Sequence, residues 1–284
     1  MLVRKTVIPA AGYGTRLFPA TKEEPKEMLP VFAKGSDGKV CVKPLLQVVF
    51  ENLSHGGIRE YCIITGRSKR AIEDHFTQDM LSLEWLEKRG KEDAAETLRD
   101  FYAILEASTI IWINQPEPKG FGDAVSKAEL FCGNESCLVH AGDTLILSRR
   151  RSYVQSLIDT HVVKSSEATF YVKAVEKPQL YGVVEGEDTG QGILRVERVV
   201  EKPKVPPSNL AIVPIYAFNP IIFKALEKTQ PDEKGEKQLT DAIQTLIEWG
   251  RKVYAVQLGE DEEYLDIGTP ETYWYALKKL YEST

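Results

Sequence analysis

The run Ala10-Ala11-Gly12-Tyr13-Gly14-Thr15-Arg16, followed by Lys22 and Lys26, combines small residues with cations. Glycines let a backbone come close to a ligand and present successive amide N–H groups, while Arg16, Lys22 and Lys26 add charge suited to phosphate oxygens. Such a loop suits a triphosphate. A Gly-x-Gly step alone is more often only a tight turn; the adjoining Thr15, Arg16 and lysines favour ligand binding. Leu17 stands where a dinucleotide fingerprint needs its third glycine, and no Gly-Lys-Ser/Thr follows at P-loop spacing. Both of those nucleotide motifs are therefore excluded.

Three later segments carry further chemistry. Gln115-Pro116-Glu117-Pro118-Lys119-Gly120 offers an amide donor and acceptor suited to a pyrimidine edge, with Gly120 letting a base lie against the main chain. On residue types alone, a solvated proline-glycine loop explains it equally well. Leu138-Val139-His140-Ala141-Gly142-Asp143-Thr144 ends a strand in a carboxylate, and Glu263-Tyr264-Leu265-Asp266 repeats that pattern before a turn into a helix. Each aspartate is either a turn cap or a ligand for a hard cation, since Mg²⁺ takes only one or two protein carboxylates besides phosphates and water. His140 reads as a core histidine, and the Glu260-Asp261-Glu262-Glu263 run as a solvated loop.

Glu201-Lys202, followed by Pro203, pairs an acceptor for hydroxyls with a cation for phosphate. Neighbouring side chains on a strand point to opposite faces, so a site using both requires the strand to end or bend there. Otherwise the two form an exposed ion pair of little energetic value.

The elements that must position these groups follow from apolar periodicity. Thr6 to Ala11 reads as a buried first strand, and Lys43 to His55 as a helix with Pro44 in its first turn and Gly56-Gly57 as its stop. Apolar runs at 61–65, 109–113 and 137–140, separated by helical patterns, predict parallel strands with crossover helices and a ligand site at their carboxyl ends. Ser82 to Leu105 reads as one long helix with Trp85, Leu86, Leu98, Phe101 and Tyr102 as candidate buried positions. Strand patterns at 168–175, 181–186, 193–200 and 211–218 predict a mixed or antiparallel extension. Helices at 219–228 and 238–250, a strand at 253–258 and a helix from Pro270 complete the chain. No linker separates the halves, so one continuous sheet is expected.

With 284 residues, 43% hydrophobic and 27% charged, the composition is that of a globular domain with a sizeable core. The net charge of −6 provides no overall field for a nucleic-acid backbone. Cys41, Cys62, Cys132 and Cys137 form no CxxC pair, which argues against a zinc site or a disulfide framework. Neither a signal segment nor a membrane span is read, so a reduced, cytoplasmic protein is expected.

Taken in order, the segments AAGYGTRLFPATKEEPKEMLP, QPEPKGFGDAV, GDT, YGVVE, VVEKP and YLDIGTP resemble those of the sugar-1-phosphate nucleotidylyltransferases. The nearest likeness is to the bacterial-type branch that joins UTP to glucose 1-phosphate. The first segment is highly specific; the later ones persuade through their order. The resemblance implies an α/β, Rossmann-like sheet of the glycosyltransferase-A type, mixed and mainly parallel, flanked by helices and carrying a smaller β-rich sugar-binding extension. It also implies a single domain over 1–284, with a nucleotide-binding half to about 165 and a sugar-phosphate half from 166.

By matching position, Ala10, Ala11, Gly12, Gly14 and Thr15 would wrap the triphosphate, with Gln115 and Gly120 reading the base. Arg16, Lys26 and Lys202 would be catalytic cations, Gly182 and Glu201 would contact the sugar, and Asp143 and Asp266 would hold Mg²⁺. A phosphate monoester has a second pKa of about 6, so the attacking oxygen needs no general base, and in-line displacement of pyrophosphate without a covalent enzyme intermediate is expected. Implied partners are the two substrates and further copies of the chain, as a homo-oligomer (dimer or tetramer), with Trp274, Tyr275 and Leu277 as a candidate contact. No nucleic acid or membrane partner is implied.

The pattern departs from the uridylyl branch in three places. Ala33 to Val42 lengthens a connection that relatives pass more directly. Gly142-Asp143-Thr144 and Asp266-Ile267-Gly268-Thr269 look equally like the thymidylyl branch, because uridylyl relatives commonly carry cysteine after the later aspartate. UTP remains the first choice on PKEMLP, with dTTP the alternative. A non-catalytic nucleotide-sugar sensor is the reading from another class, against which Lys26, Asp143, Lys202 and Asp266 speak.

Overall fold

The computed structural model describes residues 3–35, 37–148 and 152–284. Its strands are β1 (Lys5–Pro9), β2 (Pro30–Lys34), β3 (Val40–Pro44), β4 (Glu60–Thr65), β5 (Thr109–Asn114), β6 (Cys137–His140), β7 (Thr144–Ser148), β8 (Ala168–Ala174), β9 (Gly182–Asp188), β10 (Ile193–Glu201), β11 (Leu210–Phe218), β12 (Val253–Gln257) and β13 (Glu262–Asp266). The helices are α1 (Leu45–His55), α2 (Arg70–His75), α3 (Met80–Lys88), α4 (Glu92–Glu106), α5 (Phe121–Ser126), α6 (Glu129–Cys132), α7 (Tyr153–Lys164), α8 (Ile221–Lys228), α9 (Leu239–Glu248) and α10 (Pro270–Ser283).

Nine strands form one sheet in the order β5-β4-β1-β6-β11-β8-β12-β10-β9, so the two halves do share a continuous sheet. Its first half is parallel: β1 pairs with β4 and β6, and β4 with β5. β11 then pairs antiparallel with both β6 and β8, and β10 antiparallel with β12 and β9, giving the mixed extension. Because alternate strand residues face opposite ways, Ile8, Ile63 and Val213 pack on α1, α4 and α7, whereas Val7, Ile64 and Ile212 pack on α5, α8 and α9. The sheet is thus covered on both faces, which is why its strands read as nearly unbroken apolar runs.

Sequence and structure differ over residues 82–105, at Trp85 within them, and at Lys43. The long helix over Ser82–Leu105 is two, α3 and α4. Gly90 adopts φ +65°, Gly90 N donates to Glu87 O and Lys91 N to Leu86 O, a Schellman stop that a helical period continuing on both sides conceals. Trp85, expected in the core, is 56% exposed, with Arg89 Cζ 5.5 Å from its ring centroid, while Phe101 and Tyr102 are buried as expected. Lys43 belongs to a strand, because Pro30 to Lys34 and Val40 to Pro44 form an antiparallel hairpin before α1 begins. The Ala33 to Val42 extension is the tip of that hairpin, except for Ser36, which lies outside the described residues. The hairpin leans on α10 through Tyr273 Oη, which donates to Pro30 O at 2.7 Å. On α10, Trp274 and Tyr275 are exposed, whereas Leu277 packs against the core.

Candidate active site

β1, β4, β5 and β6 run parallel and end on the same side, where their following loops meet. Ala10 N donates to Ile64 O at 2.8 Å and Gln115 N to Thr65 O at 2.7 Å, tying the first turn and the Gln115 loop to the end of β4. Gly14 takes φ +64°, the left-handed conformation that favours glycine, and its carbonyl accepts from Thr21 Oγ1 at 2.8 Å. Gly120 is held more tightly still: at φ +97°, a Cβ there would stand 2.6 Å from Lys237 O. The segment around Lys237 straps this loop, with Gly122 N donating to Lys237 O and Lys237 N to Lys119 O.

A cavity of about 480 Å³ opens among these loops. Ala11, Gly12, Gly14, Thr15, Arg16, Lys26, Gln115, Gly120 and Asp143 border it, so most of the residues expected to bind a nucleotide are brought together. Ala10 is not on that border: it is 1% exposed and its N–H is already engaged by Ile64 O. Lys22 also stands apart, exposed beside Glu23 at 3.4 Å, so of the cations in the first run only Arg16 and Lys26 reach the cavity.

A second cavity, about 370 Å³, is bordered by Arg16, Phe121, Tyr181, Gly182, Glu201, Lys202, Gln238, Thr240, Tyr264 and Asp266. Arg16 and Phe121 border both. β10 ends at Glu201, and Lys202 turns to φ +40°, which meets the requirement for using two consecutive side chains at one site. Lys202 Nζ lies 2.8 Å from Glu201 Oε1, and Glu201 Oε2 accepts from Thr240 Oγ1 at 2.7 Å. Gly182 sits opposite Glu201 across the strands. A Cβ there would fall 3.0 Å from Thr240 Oγ1 and 3.1 Å from Glu201 Oε2, so glycine leaves the carboxylate room.

The two aspartates meet through a pairing invisible in either segment alone. β7 and β13 form a two-stranded sheet in which Asp266 faces Thr144, the residue after Asp143, and Ile267 N donates to Asp143 O at 3.0 Å. Lys26 Nζ is hydrogen-bonded to Asp143 Oδ2. Desolvation works to raise the Asp143 pKa, but Lys26 overrides it and holds the carboxyl below its ordinary value. Among the described residues no cation is hydrogen-bonded to Asp266: burial and the neighbouring Asp143 charge outweigh the pull of Lys26 and Arg16 and push it up to about 6. For Lys26, burial opposes the charge, yet Asp143 and Glu27 keep the ammonium protonated well above its usual range. A Cβ on Gly268 would stand 2.7 Å from Asp266 Oδ2 and 3.1 Å from Arg16 Nη2, so the guanidinium and the second aspartate flank that glycine.

This donor set suits a hard divalent ion. It supplies hard carboxylate oxygens from Asp143 and Asp266, and among the described residues no group of three or more His, Cys, Asp or Glu is placed to hold a metal ion by itself. The remaining ligands would be phosphate oxygens and water, the arrangement Mg²⁺ prefers.

Residue-type reasoning missed several contributors. Glu27 and Lys69, 2% and 6% exposed, form a buried ion pair at 2.8 Å beneath Lys26. Thr240 orients Glu201, Asp123 contacts Gln115, and Glu236 and Phe121 line cavities. PKEMLP and FGDAV contain three of them, but only their surroundings reveal a role. His140 is a core residue as expected, its ring bonded to Tyr153 Oη and Ala141 O. Glu260 and Asp261 lie outside β13, whereas Glu262 and Glu263 begin that strand.

A family model described as nucleotidyl transferase matches residues 5–283. UTP--glucose-1-phosphate uridylyltransferase of Bacillus subtilis is 39% identical over 268 residues, covering 94% of this chain and 87% of the relative. A solved UDP-glucose pyrophosphorylase complexed with UDP-glucose superposes with a TM-score of 0.85 at 32% identity, covering 100% of both chains. The UTP-bound UGPase from Acinetobacter baumannii gives 0.84 at 28% identity, covering 98% of this chain and 93% of that one. Since the match runs from the first strand into the last helix, the glycine turn and both aspartates lie within it, and this chain belongs to the nucleotidyl transferase family.

Proposed function

We propose that the protein transfers a uridylyl group from UTP to glucose 1-phosphate, giving UDP-glucose and pyrophosphate. The observation that carries this reading is that two cavities share Arg16 and Phe121, one bordered by Lys26 and Asp143, the other by Lys202 and Asp266. Relatives named for the same reaction, and solved structures holding UTP or UDP-glucose, support the choice of substrates.

In this reading the triphosphate lies along Gly12 to Arg16 with its base at Gln115 and Gly120, and glucose 1-phosphate lies between Glu201 and Lys202. The obstacle is bringing two polyanions together. Lys202 would neutralise the sugar phosphate, Arg16 the shared edge, and Lys26 the triphosphate. Fixing both reactants converts a bimolecular attack into an oriented in-line one at the α-phosphorus. Glu201, held by Thr240, would accept from sugar hydroxyls. Asp143 and Asp266 would hold Mg²⁺, which when bound supplies charge neutralisation on the phosphates and on departing pyrophosphate.

The sugar phosphate is its own nucleophile, so no residue is assigned as general base and no enzyme-linked nucleotide is formed. A cytoplasmic setting and self-association belong to the same reading; the four cysteines are free thiols, no described helix is long and apolar enough to cross a membrane, and α10 exposes Trp274 and Tyr281. Light scattering on the purified protein reads the assembly.

Pyrophosphate release across UTP, dTTP, CTP and ATP, each with glucose, galactose and N-acetylglucosamine 1-phosphates, with and without Mg²⁺, tests the assignment. UTP with glucose 1-phosphate and Mg²⁺ should give the highest kcat/KM. A preference for dTTP would move the protein to thymidylyl transfer, and no turnover with any pair would leave a sensor.

A further inference from the structure

Gln115 follows β5 and is 3% exposed, yet it borders the first cavity. Its Nε2 donates to Asp123 Oδ2 at 2.6 Å and lies 3.4 Å from Gly120 O. A carboxylate and a carbonyl only accept, so the NH₂ end of the amide must face them and its two ends are not interchangeable. Asp123 is anchored in turn on α5, where Lys127 Nζ lies 3.4 Å from the same oxygen. Among the described residues no donor is bonded to Gln115 Oε1, which leaves that acceptor for whatever fills the cavity.

We infer that Asp123 is a positioning residue for base selection: by engaging the amino end of Gln115 it presents the carbonyl oxygen to the base, selecting pyrimidines that carry an N3–H. Uracil offers that donor. Cytosine has a lone pair there, which would face Oε1 with no proton between them. Thymine carries the same N3–H as uracil, so this arrangement rejects CTP without separating UTP from dTTP. The inference rests on the nucleotide assignment of this cavity. Its force comes from desolvation, because a buried acceptor left unpaired by the wrong base penalises binding more than a difference in shape does.

Asp123→Asn tests it. The asparagine can offer its own NH₂ to Gln115 Oε1, which frees the glutamine amide to reverse. Binding of UTP and of CTP is measured by calorimetry, and kcat/KM for each triphosphate with glucose 1-phosphate follows. The wild-type protein should favour UTP by at least about a hundredfold, and Asp123→Asn by about tenfold or less, with the loss arising from weaker UTP binding and stronger CTP binding together. A merely structural role would weaken both triphosphates alike. Asp123→Ala removes the acceptor without adding a donor, should narrow the ratio in the same direction, and replaces Asn if that variant does not fold. An unchanged UTP:CTP ratio in a folded variant overturns the role of Asp123. Wild-type protein that binds neither UTP nor CTP overturns the cavity assignment, and this role with it.

Discussion

Lys69→Met isolates the buried pair that underlies the site. Glu27 and Lys69 are 2% and 6% exposed and 2.8 Å apart, so removing the ammonium strands a carboxylate out of water. Breaking such a pair from one side typically costs about 3–5 kcal/mol. For a domain of this size that corresponds to a melting temperature lower by about 6–15 °C. Burial already raises the Glu27 pKa, with Lys69 as its main opponent, so the variant's carboxyl should rise further. A folded state that holds a proton more tightly than the unfolded chain is favoured at low pH and loses that stability as pH rises through the folded pKa. The deficit of Lys69→Met against wild type should therefore be small near pH 5 and widen toward pH 8. Adding Glu27→Leu removes the stranded charge and should recover most of the loss. Freed Glu27 also competes with Asp143 for Lys26, so turnover at neutral pH should fall by about ten- to a hundredfold. Calorimetric melts across pH, with pyrophosphate release at each, read both effects. A melting temperature within about 2 °C of wild type at every pH would mean that the pair is worth no more than an exposed one.

Other perturbations follow from the same geometry. Gly268→Ala should lower kcat/KM by about a hundredfold with a small change in melting temperature, because its Cβ would stand 2.7 Å from Asp266 Oδ2 and displace that carboxylate or Arg16. Thr240→Val removes the 2.7 Å bond to Glu201 and should raise KM for glucose 1-phosphate by about tenfold or more while leaving UTP binding intact, as separate titrations would show. His161, 4% exposed, has its pKa pushed down to about 4 by burial. The unfolded chain thus binds the extra proton first, so stability is full above the ordinary histidine value and is lost as pH falls toward 4, by about 2 kcal/mol at pH 5. His161→Gln should flatten that portion of the stability curve in urea titrations.

What the sequence made legible was mostly local. The run from Thr6 into Gly12 and Gly14 declares a strand and a turn because burial on two faces leaves no polar alternation and the turn needs a left-handed residue. The condition that β10 must end at Glu201 was likewise readable from Pro203, and Lys202 satisfies it. Pairings between distant segments were not readable. The β7–β13 register brings Asp143 and Asp266 together, yet each segment alone reads only as an aspartate before a turn. Glu27 and Lys69 are separated by a helix and three strands, and their charges predict exposure until burial shows they are matched. Gly90 lies in a pattern whose helical period resumes after it, so the break between α3 and α4 depended on a backbone conformation rather than on hydrophobicity. Asp123 stood within a motif, but its effect on Gln115 rests on which atom of an amide faces a carboxylate, and residue types do not carry that information.

In the proposed reaction the two strand-end carboxylates joined by the β7–β13 pairing serve one displacement between two anionic reactants. Measuring UDP-glucose formed by wild type, Asp143→Asn and Asp266→Asn across a Mg²⁺ titration addresses it directly, with UTP binding to each followed by calorimetry. Wild type should require Mg²⁺, and each variant should lose at least about a hundredfold in kcat/KM while remaining folded. UDP-glucose made at the wild-type rate by either folded variant, or equally well in EDTA, would mean that the two aspartates hold no metal for the displacement.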